Sequence, residues 1–175
     1  MDTSLLNNYV LKAMDAYPYD LEETAENLNY ALAYDANDPH ALYLMGRLQA
    51  EQFGDYEKAK SYYAAALANN LYLFKVYEHY ILVLLWNEDY EEAEKLIAFA
   101  FKVKGLDKGL VYALQGRLLE HQHQLKKALK AHKKAKLHGF DDDFLNSINT
   151  EISRIKKKKK SEKAKKSKHQ KKRKN

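Results

Sequence analysis

The 175-residue chain is 46% hydrophobic, enough to bury a core and to exclude wholesale disorder. It contains no cysteine, which excludes disulfides, thiolate zinc sites and a cysteine nucleophile, and favours a reducing compartment. Its formal net charge of +6 conceals a split: residues 156–175 hold 13 Lys+Arg and one acid, whereas the preceding 155 residues hold 17 Lys+Arg and 23 Asp+Glu, so an acidic body carries a basic tail that calls for an anionic partner.

Met1–Val10 lacks the basic and apolar regions of a secretory signal. The most apolar run, Tyr80–Trp86, spans seven residues, where a membrane-spanning helix needs about 20. A soluble cytoplasmic protein is expected, or a nuclear one in a eukaryote.

Glycine (6) and proline (2) are scarce, which favours long helices. The first is predicted over about Thr3–Ala16, with Leu5, Leu6, Tyr9, Val10, Ala13 and Met14 on one stripe. Pro18 stops it, and Asp20 with Glu23 forms a capping box for the second. Asn37-Asp38-Pro39 ends that helix and starts the third, which Phe53-Gly54 breaks. Asp55 caps the fourth, which carries Tyr56, Ala59, Tyr63, Ala66 and Leu67 on one face; Asn69-Asn70 is the next turn. The fifth is predicted over about Leu73–Trp86 and the sixth from Asp89 to the break at Gly105. The seventh ends near His121, and the eighth runs from Gln124 to a favoured C-terminal cap at Gly139. Asp141, Asp142 and Asp143 open a ninth, capping helix over 141–155, with Phe144, Leu145, Ile148, Ile152 and Ile155 on its apolar face.

One motif organises these helices. Asp20-Leu21-Glu22-Glu23-Thr24 recurs as Asp55-Tyr56-Glu57-Lys58-Ala59, Asp89-Tyr90-Glu91-Glu92-Ala93 and Gln124-Leu125-Lys126-Lys127-Ala128, at intervals of 35, 34 and 35 residues. Ala31, Ala66, Ala100 and Ala135 follow each copy at a fixed distance, and a period of this length means stacked repeats. The pattern resembles the tetratricopeptide repeat family. The first-helix aromatic slot holds Leu42, Tyr77 and Tyr112; the glycine slot holds Gly46, Ile81 and Gly116; the second-helix aromatic slot holds Leu28, Tyr63, Ile97 and His132. Gly46-Arg47-Leu48 recurs verbatim as Gly116-Arg117-Leu118. The family's closing proline is missing: Ala36, Leu71, Gly105 and Phe140 stand in its place. The implied architecture is an all-α solenoid over 1–140, with repeats at about 3–36, 37–71, 72–105 and 106–140, then the capping helix; self-repulsion and the lack of apolar residues predict a largely disordered lysine-rich tail over 156–175, with room for the ninth helix to extend a turn or two into it.

The resemblance implies a concave groove lined by first helices, presenting Tyr9, Tyr17, Tyr43, Arg47, Lys75, Glu78, Trp86, Arg117 and His121 to a partner peptide or helix. Aromatics and arginine are usual interface anchors. The same aromatics packed between helices, binding nothing, is the bland alternative. Some family members grip a chaperone's terminal carboxylate with a Lys/Asn/Asn/Lys/Arg set; the matching positions hold Tyr43, Arg47, His79 and Lys75, of which Lys75 alone fits.

The tail residues Lys156, Lys157, Lys158, Lys159, Lys160, Lys171, Lys172, Arg173 and Lys174 are candidates for contact with RNA or DNA phosphates, with acidic lipid, or with a localisation receptor; a solubilising tail is the bland alternative. No aromatic interleaves the lysines, so binding should be non-specific and salt-sensitive, with a log–log slope of roughly −4 to −5 for about six phosphates. His132 fills a family core slot and reads as packed histidine rather than a metal ligand. No phosphate-cradling glycine loop and no H-E-x-x-H motif is present. The expectation is a non-enzymatic scaffold or adaptor without cofactor or metal, with a protein partner in the groove and an anionic surface for the tail. A nucleic-acid- or ribosome-associated protein acting through the tail is the alternative. Exposed ends of a repeat stack leave a homodimer open.

Overall fold

The computed structural model describes residues 7–172, with side chains as far as residue 162. All regular structure among them is helical: α1 (Asn8–Ala16), α2 (Leu21–Tyr34), α3 (Pro39–Glu51), α4 (Tyr56–Asn69), α5 (Lys75–Trp86), α6 (Tyr90–Ala100), α7 (Lys108–His121), α8 (Leu125–His138) and α9 (Asp142–Lys172). The expected start at Thr3, with Leu5 and Leu6, lies outside the described residues. From Asn7, which accepts a hydrogen bond from the Tyr9 amide, the chain is helical to Ala16.

Short polar side chains open several helices by satisfying free backbone amides. Asp20 accepts from the Glu23 amide at 2.9 Å and Asp55 from that of Lys58 at 3.0 Å. Asp38 accepts from the His40 and Ala41 amides, both at 2.9 Å, with Pro39 starting α3. Asp89, the equivalent of Asp20 and Asp55, receives side chains as well: Lys60 Nζ at 2.6 Å and the Asn87 amide at 2.7 Å. Gly54 and Gly105 take positive φ (65° and 89°) at the breaks, where a Cβ would be strained. Gly139 differs from a left-handed cap, being extended (φ −77°, ψ 137°). What it supplies is space, since a Cβ there would lie 2.7 Å from Phe144 and 2.9 Å from Leu145.

The chain divides into two compact units, residues 1–89 and 90–175. The boundary falls inside the expected third repeat, so α5 belongs to the first unit and α6 to the second. In the first unit α1 pairs with α2, α3 with α4, and α5 packs on α4. Val10, Ala13, Leu28, Ala31, Leu44 and Leu48 form its core; Val10 and Ala13 lie on the stripe predicted for the first helix, and Leu28 and Ala31 fill their repeat slots. Between α3 and α4 the backbone of Gly46 receives the ring of Tyr63, which is fully buried; a Cβ on Gly46 would sit 2.6 Å from Tyr63 Cε1.

In the second unit α7 pairs with α8, with α6 on one side and α9 on the other. Ala113, Ala135, Ile148 and Ile152 form one cluster, and Leu125, Ala128 and Ile155 another. Gly116 receives the ring of His132 as Gly46 receives Tyr63, and a Cβ there would sit 2.5 Å from His132 Nε2. His132 is fully buried.

α9 does not end at 155. It continues to Lys172, where the sequence reading placed a largely disordered tail over 156–175. Lysine is a good helix former, and three residues past Ile155, the last position of the helix's apolar face, Lys158 reaches back to Glu120 Oε1 on α7 at 2.6 Å. Local propensity and that ion pair carry the helix beyond its apolar face.

Candidate functional site

On α3 the residues Tyr43, Arg47 and Glu51 recur every four positions, which stacks them on one helical face. The turn after α1 brings Tyr17 to this face, and α5 brings His79. Arg47 grips Glu51 with two parallel bonds, Nε to Oε1 at 2.8 Å and a terminal nitrogen to Oε2 at 2.9 Å. The same guanidinium lies 4.7 Å from the centre of the Tyr17 ring, and the Tyr17 hydroxyl donates to Glu51 Oε2 at 2.5 Å. His79 Nδ1 lies 2.9 Å from the Lys75 carbonyl and 3.3 Å from the Tyr43 hydroxyl. A carbonyl oxygen only accepts, so Nδ1 carries the proton. That leaves Nε2 facing Glu51 Oε1 at 3.9 Å.

This cluster is wet on top and dry below. Tyr17 and Tyr43 are buried, whereas the side chains of Arg47, Glu51 and His79 are 29%, 28% and 27% exposed. Burial pushes the Tyr17 and Tyr43 hydroxyls up, and for Tyr17 the bond to Glu51 adds to the effect. Burial also pushes Glu51 up, but hydrogen bonds from Arg47 and Tyr17 and the charge of Arg47 outweigh it, so the carboxyl is held below its ordinary value. With Nε and one terminal nitrogen committed to Glu51, the remaining N–H groups of Arg47 are what it has left for a further acceptor.

Four further expected groove residues, Tyr9, Lys75, Glu78 and Trp86, belong to the first unit. Lys75 is exposed at the start of α5 and Glu78 is half-buried one turn on. Trp86, 49% exposed, ends α5 with its ring 6.0 Å from that of Tyr56. Tyr9 packs against Tyr30 of α2 at 5.4 Å rather than joining the Tyr17–Arg47–Glu51 bonds. Glu51 and His79 were not among the expected groove residues, yet Glu51 makes most of the polar bonds. Its signal was available, since it stands four residues after Arg47, the spacing of a helical ion pair.

Arg117 and His121 belong to the second unit. Arg117 faces Glu151 of α9 at 3.8 Å, and the His121 ring lies 6.0 Å from that of Tyr90. Between α7 and α9 sits a denser network. Glu120, buried, accepts from Arg154 at 2.7 Å and from Lys158 at 2.6 Å, and Arg154 also pairs with Glu151. Burial pushes Glu120 up, but bonds from Arg154 and Lys158 outweigh it, and its carboxyl is held below the ordinary value. Glu120, His132 and Glu151 each offer a ligand atom within 4.8 Å of the others. Arg117, Arg154 and Lys158 already neutralise the two carboxylates, so the group is an ion-pair latch holding α9 on α7 rather than a cation site. Burial lowers the His132 pKa and neither ring nitrogen has a hydrogen-bond partner; Glu151 and Glu120 raise it, Arg117 and Arg154 lower it.

Of the expected tail residues, Lys156, Lys157, Lys158 and Lys160 are exposed on α9 and Lys159 is half-buried. Lys171 and Lys172 end the described part of α9, and Arg173 and Lys174 lie outside the described residues. No helix among the described residues is long and apolar enough to cross a membrane.

No protein-family model matches the chain, and no curated protein does. Solved structures do. A structure titled "MamA 41-end from Desulfovibrio magneticus RS-1" superposes with a TM-score of 0.61 at 19% identity, covering 90% of this chain and 98% of that one. A "MamA RS-1 ArsTM double mutant" gives the same score and identity over 90% and 99%. Together with the helix pairs, the ring-on-glycine packing shared by Gly46 and Gly116 and the absence of strands among the described residues, this likeness shows the fold: an all-α, tetratricopeptide-like helical repeat.

Proposed function

We propose that the chain is a non-enzymatic interaction scaffold, and that the face of α3 and α5 bearing Tyr43, Arg47, Glu51 and His79, with Lys75 and Glu78 beside it, docks a partner peptide or helix. The observation that carries this reading is the Tyr17–Arg47–Glu51 arrangement. It holds an arginine and a tyrosine in fixed positions before any partner arrives, which lowers the ordering cost of binding. The repeat fold supports it, because such stacks expose continuous helical faces.

Capture from native extract tests the reading. Arg47→Glu removes the anchor, but it also leaves Glu51 without its partner. Lys75→Glu reverses charge at an exposed position with no side-chain bond among the described residues, so it separates docking from stability. Loss of the same captured protein with both variants, at unchanged melting for Lys75→Glu, is the expected result. Capture that survives both removes this face from the binding site.

A second reading places function in the lysine-rich end, as contact with nucleic acid or the ribosome. The exposed lysines of α9 support it. A truncation that tests it should keep Lys158, which bonds Glu120, and therefore end after residue 162 rather than at 155.

A further inference from the structure

The basic character of the second unit is not confined to its tail. The exposed side of α8 carries Lys126, Lys127, Lys130, Lys133, Lys134 and Lys136, and the helix contains no acid. Lys134 lies over the Tyr112 ring and Lys136 bonds Asn149; the other four have no acidic partner among the described residues. Division of the sequence at residue 156 hides this face, because it averages α8 with acid-rich helices. α9 packs along α8 and carries Lys157 and Lys159 to its start. There two adjoining clefts, of about 490 and 470 Å³, share His123, Leu125 and Glu162 in their walls. Lys126, Lys127 and Lys159 line one and Lys157 and Lys158 the other. Glu120, in the wall of the second, is already neutralised by Arg154 and Lys158, which leaves Glu162 against the lysines.

We propose that the lysine face of α8, with the cleft it shares with α9, binds the phosphodiester backbone of single-stranded nucleic acid. The inference rests on the second reading above and names residues for it outside the tail. Two features favour this ligand. The six lysines of α8 fall within about 15 Å of helix axis, a cation density that suits a polyanion carrying one charge per nucleotide. The lysines of two helices also converge on concave walls, which a narrow strand can enter and a bilayer surface cannot. The exposed apolar residues near α8, Leu137 and Phe140, lie at its other end. With backbone phosphates as the only contacts, no base sequence is read.

The test is fluorescence anisotropy with labelled 20-mer oligouridine and oligothymidine over a salt series, using the full chain. Three proteins are compared: wild type, K126Q/K127Q/K130Q/K133Q, and K165Q/K166Q/K168Q/K171Q/K172Q in the tail. Circular dichroism melting checks that each folds; the four α8 lysines are exposed, so their core contacts are unchanged. The expected result is that the α8 variant binds at least tenfold more weakly and that its log–log salt slope falls by about 2–3, near 0.7 for each lost phosphate contact. If the α8 variant binds as wild type while the tail variant loses binding, the inference is overturned and the tail reading survives. If no protein binds either oligonucleotide, both fall. Phosphatidylserine vesicles form a third arm, and binding to them that oligonucleotide does not displace overturns the inference in favour of lipid.

Discussion

Above Gly46 in the first unit lies the phenol of Tyr63; above Gly116 in the second lies the imidazole of His132. Both rings are fully buried, and the polar atoms of both lack a hydrogen-bond partner. The slot is thus a matter of shape, filled by whichever flat ring the repeat supplies. Charge follows the opposite rule. Residues 1–89 hold 5 Lys+Arg and 14 Asp+Glu, while residues 90–175 hold 25 and 10. Two units with the same packing rule therefore differ in net charge by sign, −9 against +15. Their central carboxylates differ too. Glu51 is partly exposed and holds an arginine on a surface, whereas Glu120 is buried and holds one helix to another.

The most direct way to break the parallel is at the glycines. Gly46→Ala and Gly116→Ala each push a methyl into a buried ring and should each cost about 2–3 kcal/mol, read by urea unfolding. A small loss at one site alone would show that its ring can move aside and that the two slots are not equivalent.

Next in size is the contrast between the carboxylates. Glu120→Ala leaves Arg154 with Glu151 only and frees Lys158, and should cost about 2 kcal/mol. Glu51→Ala, at a partly exposed pair, should cost about 1 kcal/mol. Equal values by chemical denaturation would remove the distinction between latch and docking face. Both carboxyls are held below their ordinary value in the folded state. Their contribution is therefore complete above the unfolded pKa of about 4.3 and is lost as pH falls through the folded one. Melting temperature measured from pH 5 down to 3 should fall more steeply in the wild type than in either variant.

The smallest effect sharpens the ring comparison. Burial raises the Tyr63 hydroxyl away from any physiological pH, whereas it lowers the His132 imidazole, which ordinarily titrates near 6.5. Between that value and the depressed folded one, the unfolded chain binds the proton and the folded chain does not, so stability drops as pH falls through the window. Arg117 and Arg154 add to this, and Glu120 and Glu151 oppose it. His132→Leu should remove the drop between pH 7 and 5 by calorimetry while leaving the Tyr63 unit unaffected. An unchanged pH profile would show that His132 is not its source.

Much of this was legible in the sequence, for a physical reason. Repeats impose a period, so Gly46 and Gly116 announced their equivalence, and Asp20, Asp38 and Asp55 marked helix starts because free backbone amides need an acceptor. The recognition of His132 as packed core came from its slot. What was not legible needed distance in space. Glu120 and Arg154 stand 34 residues apart and nothing local links them. The length of α9 was missed because a run of lysines reads as self-repelling, while its anchoring by Glu120 depends on the packed fold. The basic side of α8 was missed because charge was counted along the chain rather than by face.

The continuation of α9 past Ile155 has a consequence for how this chain can drift. Along Lys156–Lys160 successive lysines stand about 100° apart, so Lys158 meets Glu120, Lys157 and Lys159 face the clefts beside α8, and the others face away. Lys156 and Lys160, exposed and outside those contacts, can be exchanged with little loss. At Gly116 the reverse holds, since one added methyl group meets a ring that has nowhere to go. Within a single unit, the chain thus joins lysines that can be exchanged freely to a position where a single atom decides.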